Sequence, residues 1–355
     1  MPSSTNARRV ARQVAIGLCF GYASLAASVA RSAENGLFAS TEPLVIRIEA
    51  PFSTIVNSRK KPEYQDAVLK FQDANGERSV GLRLRVRGHS RVEACDFPPL
   101  LLNFKTSELV GTPFEGEDKL KLTTHCKAIS SHDQLIRLEY LSYRVLNLLT
   151  ETSLRARPVT VTYYDTQRAR VVATERAGFF VEDDERFAAR SGLQQVDVVS
   201  IDRGRYDRDA LGLVEMFEYF IGNTDWSALL GPKGSHCCHN VVPYQRADRI
   251  LVPVPYDFDS SGIVNAPYAL PDQRLRIASV RQRLYRGARC EPVADLETRF
   301  AKFDAVRPQL LDLFSTSSGL DKSTAAGATS YVQEFFAIRA DPKKVDRAFR
   351  SGCKD

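Results

Sequence analysis

The sequence has little that would place it in a bilayer or on a nucleic acid. Beyond its first thirty residues, no stretch is long and apolar enough to span a membrane as a helix. No tract of lysine and arginine is interleaved with aromatics, so the electrostatic footprint of a nucleic-acid binder is missing. There is no internal repeat and no low-complexity linker, and the length suits one large domain or a two-lobed one. A hydrolase elbow is lacking too, because Gly262 follows Asp259-Ser260-Ser261 outside any G-x-S-x-G frame. Tryptophan occurs once, at Trp226, and is read as packing rather than as a ligand stack.

What is present begins with an export pattern. Arg8, Arg9 and Arg12 form a basic region, Val14 to Ala27 is mostly apolar or small, and Ser28-Val29-Ala30 is a small-x-small cleavage site. Residues 1–30 are therefore expected to be a signal peptide, and the protein to be exported, periplasmic or secreted. Membrane contact is expected only through an uncleaved signal. Cys19 lies in the apolar run without a lipoprotein context. Losing three arginines and no acids lowers the formal charge from +6 to about +3, which points only weakly to an anionic partner.

Six cysteines would remain: Cys95, Cys126, Cys237, Cys238, Cys290 and Cys353. An even set in an oxidising compartment favours disulfides. Cys95 and Cys126 bracket two neighbouring strand candidates and are expected to pair. Cys237 and Cys238 are expected to pair with Cys290 or Cys353. The run His236-Cys237-Cys238-His239 is not read as a zinc site, since four adjacent residues cannot all converge on one tetrahedral ion.

Periodicity divides the chain. Pro43 to Ile48, Val80 to Arg87, Leu100 to Phe104 and Leu120 to Thr123 read as strands, with Arg83, Arg85 and Arg87 on one face of the second. Leu135, Leu138, Leu141, Val145, Leu148 and Leu149 mark a helix that Asp133 can cap. A hairpin is expected from Pro158 to Tyr164 and Arg170 to Val181 around Asp165-Thr166-Gln167, then a helix from about Leu211 to Ile221. The segments Arg281 to Leu284, Asp295 to Phe314, Ser330 to Arg339 and Lys344 to Phe349 read as mostly helical, with an exposed loop at Ser315 to Thr329. The expected architecture is α+β: a strand-rich N-terminal lobe at residues 31–182 with one long helix, and a helix-rich C-terminal lobe at residues 183–355, with a ligand cleft between them.

The most specific stretch runs from Leu213 to Asp259. An apolar helix ends in Gly222-Asn223-Thr224-Asp225-Trp226, a loop closes on His239-Asn240, and a β-rich run terminates in Asp257-Phe258-Asp259. Hard oxygen donors at the ends of regular elements suit Mg²⁺, which takes one or two carboxylates and leaves room for phosphate oxygens.

In these motifs the chain resembles the CotH-type spore-coat kinase family. Arg85 to Arg91 with Phe97-Pro98 and Leu102 to Lys105 look like its R-x-R-G-N-S-S…F-P-K-K-S-Y element. Leu135 to Arg137 and Leu141 to Tyr143 look like its L-L-R-N…L-A-Y helix. Asn223 to Asp225, His239-Asn240 and Pro255 to Asp259 look like its N-x-D, N-N and Y-D-F-D motifs. The resemblance implies a two-lobed atypical protein-kinase-like fold, ATP as co-substrate, Mg²⁺ (or Mn²⁺) as cofactor and a protein hydroxyl as acceptor. By carry-over Asp225 would orient or deprotonate the acceptor, while Asn240, Asp257 and Asp259 would serve the metal. A cation for the phosphates would come from Lys105 or Lys121, with Glu139 as its partner. Arg87 and Arg91 flank a glycine turn that can meet phosphate. The chain departs from the family where Pro99 and Leu100 replace a double lysine, where Arg144 replaces a glutamate, and where residues 226–239 lengthen a compact loop.

Two rivals stand beside the kinase: an inactive kinase-like binding or scaffold protein of the cell envelope, and a Mg²⁺-dependent phosphotransferase on a glycan or small molecule. The scarcity of ATP outside the cytoplasm and the altered lysines favour the binding protein. Joint retention of Asp225, Asn240 and Asp257 favours catalysis.

Overall fold

The structure, a computed structural model, describes residues 36–351 apart from 74, 75 and 289; the expected signal peptide lies outside the described residues. Seven strands form a closed barrel in the order β1-β2-β3-β4-β5-β7-β6. They are β1 (Leu44–Ala50), β2 (Gln65–Asp73), β3 (Gly76–Val86), β4 (Leu100–Phe104), β5 (Lys119–Thr123), β6 (Ala156–Asp165) and β7 (Arg170–Val181). All neighbouring pairs are antiparallel except β1 and β6, whose parallel pairing from Leu44↔Val159 to Ala50↔Asp165 shuts the barrel.

This overturns the two-lobed kinase-like fold expected from the sequence. Strands β1, β3 and β4 do show the expected period-two alternation. What local periodicity cannot show is that the first strand meets one more than a hundred residues later, with no free edge left between them. On β3, Val80, Leu82, Leu84 and Val86 point inward while Arg83 is exposed. Those four side chains meet Leu69, Leu102, Leu122, Val161 and Phe180 in the barrel core. Burying each of them stabilises the fold by roughly 1.5–3 kcal/mol.

Two short helices cap barrel connections, α1 (Phe52–Asn57) and α2 (Ser90–Ala94). The twenty-residue α3 (Ser130–Leu149) packs on β6 and β7 and faces the helical half. Asp133 does not cap it. Its carboxylate accepts from the Ala177 amide at 2.8 Å and from Arg176 Nε at 3.0 Å, tying the helix to β7.

After the barrel come α4 (Asp184–Ser191), α5 (Arg208–Ile221), α6 (Val293–Ala305), α7 (Arg307–Ser315) and α8 (Lys322–Arg339). Every residue of α5 from Leu211 to Ile221 is buried, as expected for a helix at the centre of a core. The stretch expected to be helical over Asp295 to Phe314 is broken after Ala305, with Pro308 in the first turn of the next helix. The loop expected at Ser315 to Thr329 shrinks to its first half, because Asp321 caps α8 by accepting from Thr324 N at 2.7 Å. Arg281 to Leu284 is not helical; Arg283 is held 3.6 Å over the Tyr331 ring.

A small sheet, ordered β10-β9-β8, completes the fold with β8 (Gln194–Gln195), β9 (Val241–Gln245) and β10 (Leu251–Pro255). No helix among the described residues is long and apolar enough to cross a membrane. Cys95 and Cys126 form the expected disulfide, with Cα atoms 4.6 Å apart. Cys237 and Cys238 are bonded to each other rather than to Cys290 or Cys353.

Candidate active site

Helix α5 ends where Gly222 takes a left-handed conformation (φ 71°) that glycine adopts without steric cost. The chain then turns sharply. Asn223 is buried, donates its amide to Glu218 O at 2.8 Å, and accepts the Asp225 amide on Oδ1 at 2.9 Å. Arg286 clamps the same turn from outside through the carbonyls of Thr224 (2.6 Å) and Trp226 (2.5 Å). The Asp225 carboxylate is left half exposed at the end of this turn, at 49%.

The fifteen positions separating Asp225 from Asn240 are closed by a bridge. Ser227 and His239 exchange both backbone hydrogen bonds, at 2.9 and 3.0 Å. That pairing sets His239 Nε2 2.7 Å from Asp225 Oδ1, and Asn240 Nδ2 donates to Asp225 O at 2.7 Å. The hydrogen bond to Asp225 raises the His239 pKa above its ordinary value, against the opposing effect of burial.

Strands β9 and β10 then bring the second acidic element alongside. Their register pairs Val241 with Pro255, and Tyr256 N donates to Asn240 O at 3.0 Å. Asn240 (φ 53°) and Asp257 (φ 62°) are both left-handed. Asparagine and aspartate enter that region more readily than other side chains, and Cys126, Ala169, Glu175, Arg249, Asn265 and Arg276 share it elsewhere in the fold. Asp257 is held there by its surroundings. Its amide donates to the Tyr143 hydroxyl at 3.0 Å, and Phe258 is sealed between Tyr143 and Phe217, with ring centroids 4.6 and 5.2 Å away.

Behind Asp257 lies a buried charge cluster centred on Arg91. Its Nη2 donates to Glu139 Oε1 and Asp257 Oδ1, both at 2.6 Å, and its Nε donates to Asp259 Oδ2 at 2.8 Å. Burial alone would lower the Arg91 pKa, but the carboxylates of Asp259, Glu139 and Asp257 drive it well upward. Burial pushes Glu139 up to about 8 despite Arg91, and raises Asp259 as well. One guanidinium thus faces three carboxylates.

The sequence-expected residues divide accordingly. Asn223, Asp225, Asn240, Asp257 and Asp259 gather in one region through the contacts just given. Glu139 joins them, but the cation on it is Arg91 rather than a lysine. Lys105 is exposed and pairs with Glu108 at 3.3 Å. Lys121 pairs with Asp184 at 2.5 Å, and the Asp184 charge reaches Tyr256, next to Asp257. Arg87 also acts on Tyr256. Arg91 is buried among acids instead of facing a phosphate. The roles of His239, Tyr143, Tyr268 and Arg286 were not expected from the sequence; His239, beside Asn240, and Tyr143, closing the Leu141 to Tyr143 motif, carried a usable signal.

Among the described residues no three His, Cys, Asp or Glu side chains form a ready metal cage. The donor chemistry nevertheless fits a partly hydrated Mg²⁺. With its carboxylates ionised, the Arg91 cluster would carry two uncompensated negative charges, and the 40% exposed Asp257 side chain is its open side. Asp259 sits behind it, engaged by Arg91, Ser260 and Tyr268. No family model matches the chain, and no curated protein matches it.

Proposed function

We propose that the protein is an exported phosphotransferase that moves a phosphoryl group from ATP to a protein hydroxyl with Mg²⁺. The observation that supports this most is the convergence of Asp225, Asn240 and Asp257, two of them in left-handed conformations, on a solvent-facing acidic site. The resemblance of the ordered motifs to CotH-type kinases supports the same chemistry, carried here on a barrel.

Asp225 would accept the proton of the acceptor hydroxyl as its oxygen bonds to the γ-phosphorus and ADP departs. His239 holds one oxygen of that carboxylate, while Asn240 donates to the Asp225 carbonyl and, at 3.4 Å, to the second carboxylate oxygen, which the half-exposed side chain leaves within reach of an acceptor. Asp257 and the Asn240 side-chain oxygen would hold Mg²⁺, with Asp259 behind them. The ion neutralises phosphate charge when bound. Arg91 and Tyr143 position Asp257 from behind through side chain and amide. For the phosphate tail, Lys121 and Arg87 are better placed than Lys105.

One observation favours the binding-protein alternative: Arg91 already occupies one oxygen of Asp257. The deciding experiment is transfer of labelled phosphate from ATP to a generic protein acceptor by the wild type and Asp225→Asn. Transfer by the wild type alone supports catalysis. Equal transfer by both rejects the assignment of Asp225, and nucleotide binding without transfer selects the binding protein.

A further inference from the structure

A second feature lies on the other side of α2. Arg91 points from that helix into the acid cluster, whereas Val92 and Glu93 line a separate cleft of about 590 Å³. That volume is in the range of small-molecule sites. Its charge is lopsided: Arg59, Lys60, Arg85 and Arg87 face it, against Glu93 as the one carboxylate in its lining.

Several buried and half-buried arginines elsewhere in the fold are matched by acids, as Arg91, Arg176, Arg190 and Arg203 are, while Arg157 and Arg286 are held by carbonyls. The cleft differs in gathering several such cations on one open surface. Arg59 is held by the neutral carbonyl of Cys95 at 2.7 Å. Arg85 is held by the Val86 carbonyl at 3.3 Å and lies 5.2 Å from the centre of the Tyr64 ring. Among the described residues no acid forms an ion pair with Arg85 or Arg87. Lys60 alone is paired, with Glu93 at 3.7 Å, and both side chains are mostly exposed. These contacts orient the guanidinium groups without neutralising them, which is how a planar fork is presented to a phosphate. Gly88 (φ 94°) provides the turn between Arg87 and α2, and nothing lies within 4 Å of where its Cβ would be, so the mouth is open.

We propose that this cleft is a binding site for a phosphate-bearing anion of about pyrophosphate size, gripped by Arg85 and Arg87 with Arg59 behind them. It needs no metal, and it stands independently of the role proposed for Asp225. The phosphate can belong to a nucleotide tail or to an acceptor that already carries phosphate. Because Val92 and Glu93 line the cleft while Arg91 of the same helix reaches Asp257, the anion would lie near the acidic site.

The test is calorimetric titration of the full chain with pyrophosphate, and separately with ATP, both without divalent cations. The variants are Arg85→Gln/Arg87→Gln, Glu93→Gln and Asp225→Asn, with circular dichroism melts to show that each is folded. Pyrophosphate affinity should fall at least about tenfold in the double variant, rise about twofold in Glu93→Gln, and persist in Asp225→Asn. A parallel loss of ATP affinity identifies the nucleotide tail as the source; unchanged ATP affinity identifies a phosphorylated acceptor. Pyrophosphate binding that is absent from the wild type, or equal in wild type and double variant, overturns the proposal.

Discussion

Arg91 Nη2 lies 2.6 Å from Asp257 Oδ1, although 166 positions separate the two residues. The contact joins α2, which follows β3, to the turn after β10, and so joins the barrel to the element that carries the acidic site. Arg91 is 5% exposed and is the only cation in direct contact with Glu139, Asp257 and Asp259 among the described residues. Replacing it with Met should leave three buried or half-buried carboxylates uncompensated. The expected cost is about 3–5 kcal/mol, read as a lowered urea midpoint, with Arg91→Lys intermediate. An unchanged midpoint in Arg91→Met would show that the cluster contributes nothing to the fold.

The Cys95–Cys126 disulfide closes a segment of 31 residues. Restricting the unfolded chain over that length should stabilise the protein by roughly 3–4 kcal/mol. The double variant Cys95→Ser/Cys126→Ser is expected to lose about that much in chemical denaturation, and wild type in strong reductant should behave likewise.

Glu117 makes stability depend on pH in a specific direction. It is fully buried, and burial pushes its pKa from 4.5 to about 7 despite Arg186 at 2.9 Å, with Glu182 and Asp183 adding to the rise. A raised carboxyl pKa means that the folded state binds the proton more tightly than the unfolded state. The associated stability is therefore complete below the unfolded value and is lost as pH rises through about 7. Relative to Glu117→Gln, the wild type should lose roughly 3 kcal/mol across that window. Parallel denaturation curves for the two proteins at acidic and mildly alkaline pH check this, and identical pH dependence would contradict it.

Asp225→Asn should retain nucleotide affinity while lowering phosphoryl transfer by about 10²–10⁴, the usual contribution of a positioned base. The reading is single-turnover transfer at saturating nucleotide. A proportional loss of affinity would mean that Asp225 holds the nucleotide rather than the acceptor.

Much of the site was legible because it is built from chain punctuation. Gly222 stops α5, Asn223 and Asp225 form a compact turn, and Asp257 follows a strand of apolar residues; all three signals are local. Most strands were legible for the same reason: alternation along β1, β3 and β4 follows from burial on one face, whereas β7 buries Ala177 to Val181 in succession. Closure of the barrel was not, because the β1–β6 pairing rests on backbone hydrogen bonds between distant segments that place no demand on local composition. The partner of Glu139 was hidden too. A family pattern pointed to a lysine on a strand, whereas the cation comes from Arg91 on a five-residue helix beside Gly88. Asp133 looked like a cap by position, but its bonds to Arg176 and Ala177 depend on where β7 lies.

In the proposed function, Asp257 serves a divalent cation that would in turn hold nucleotide phosphates. The most direct test of that role is the affinity for ATP, with and without Mg²⁺, of the wild type and Asp257→Asn. Mg²⁺ should tighten ATP binding to the wild type by at least about tenfold, and the substitution should remove this gain while the fold persists. Equal Mg²⁺ dependence in the two proteins, or no Mg²⁺ dependence in the wild type, would contradict that role.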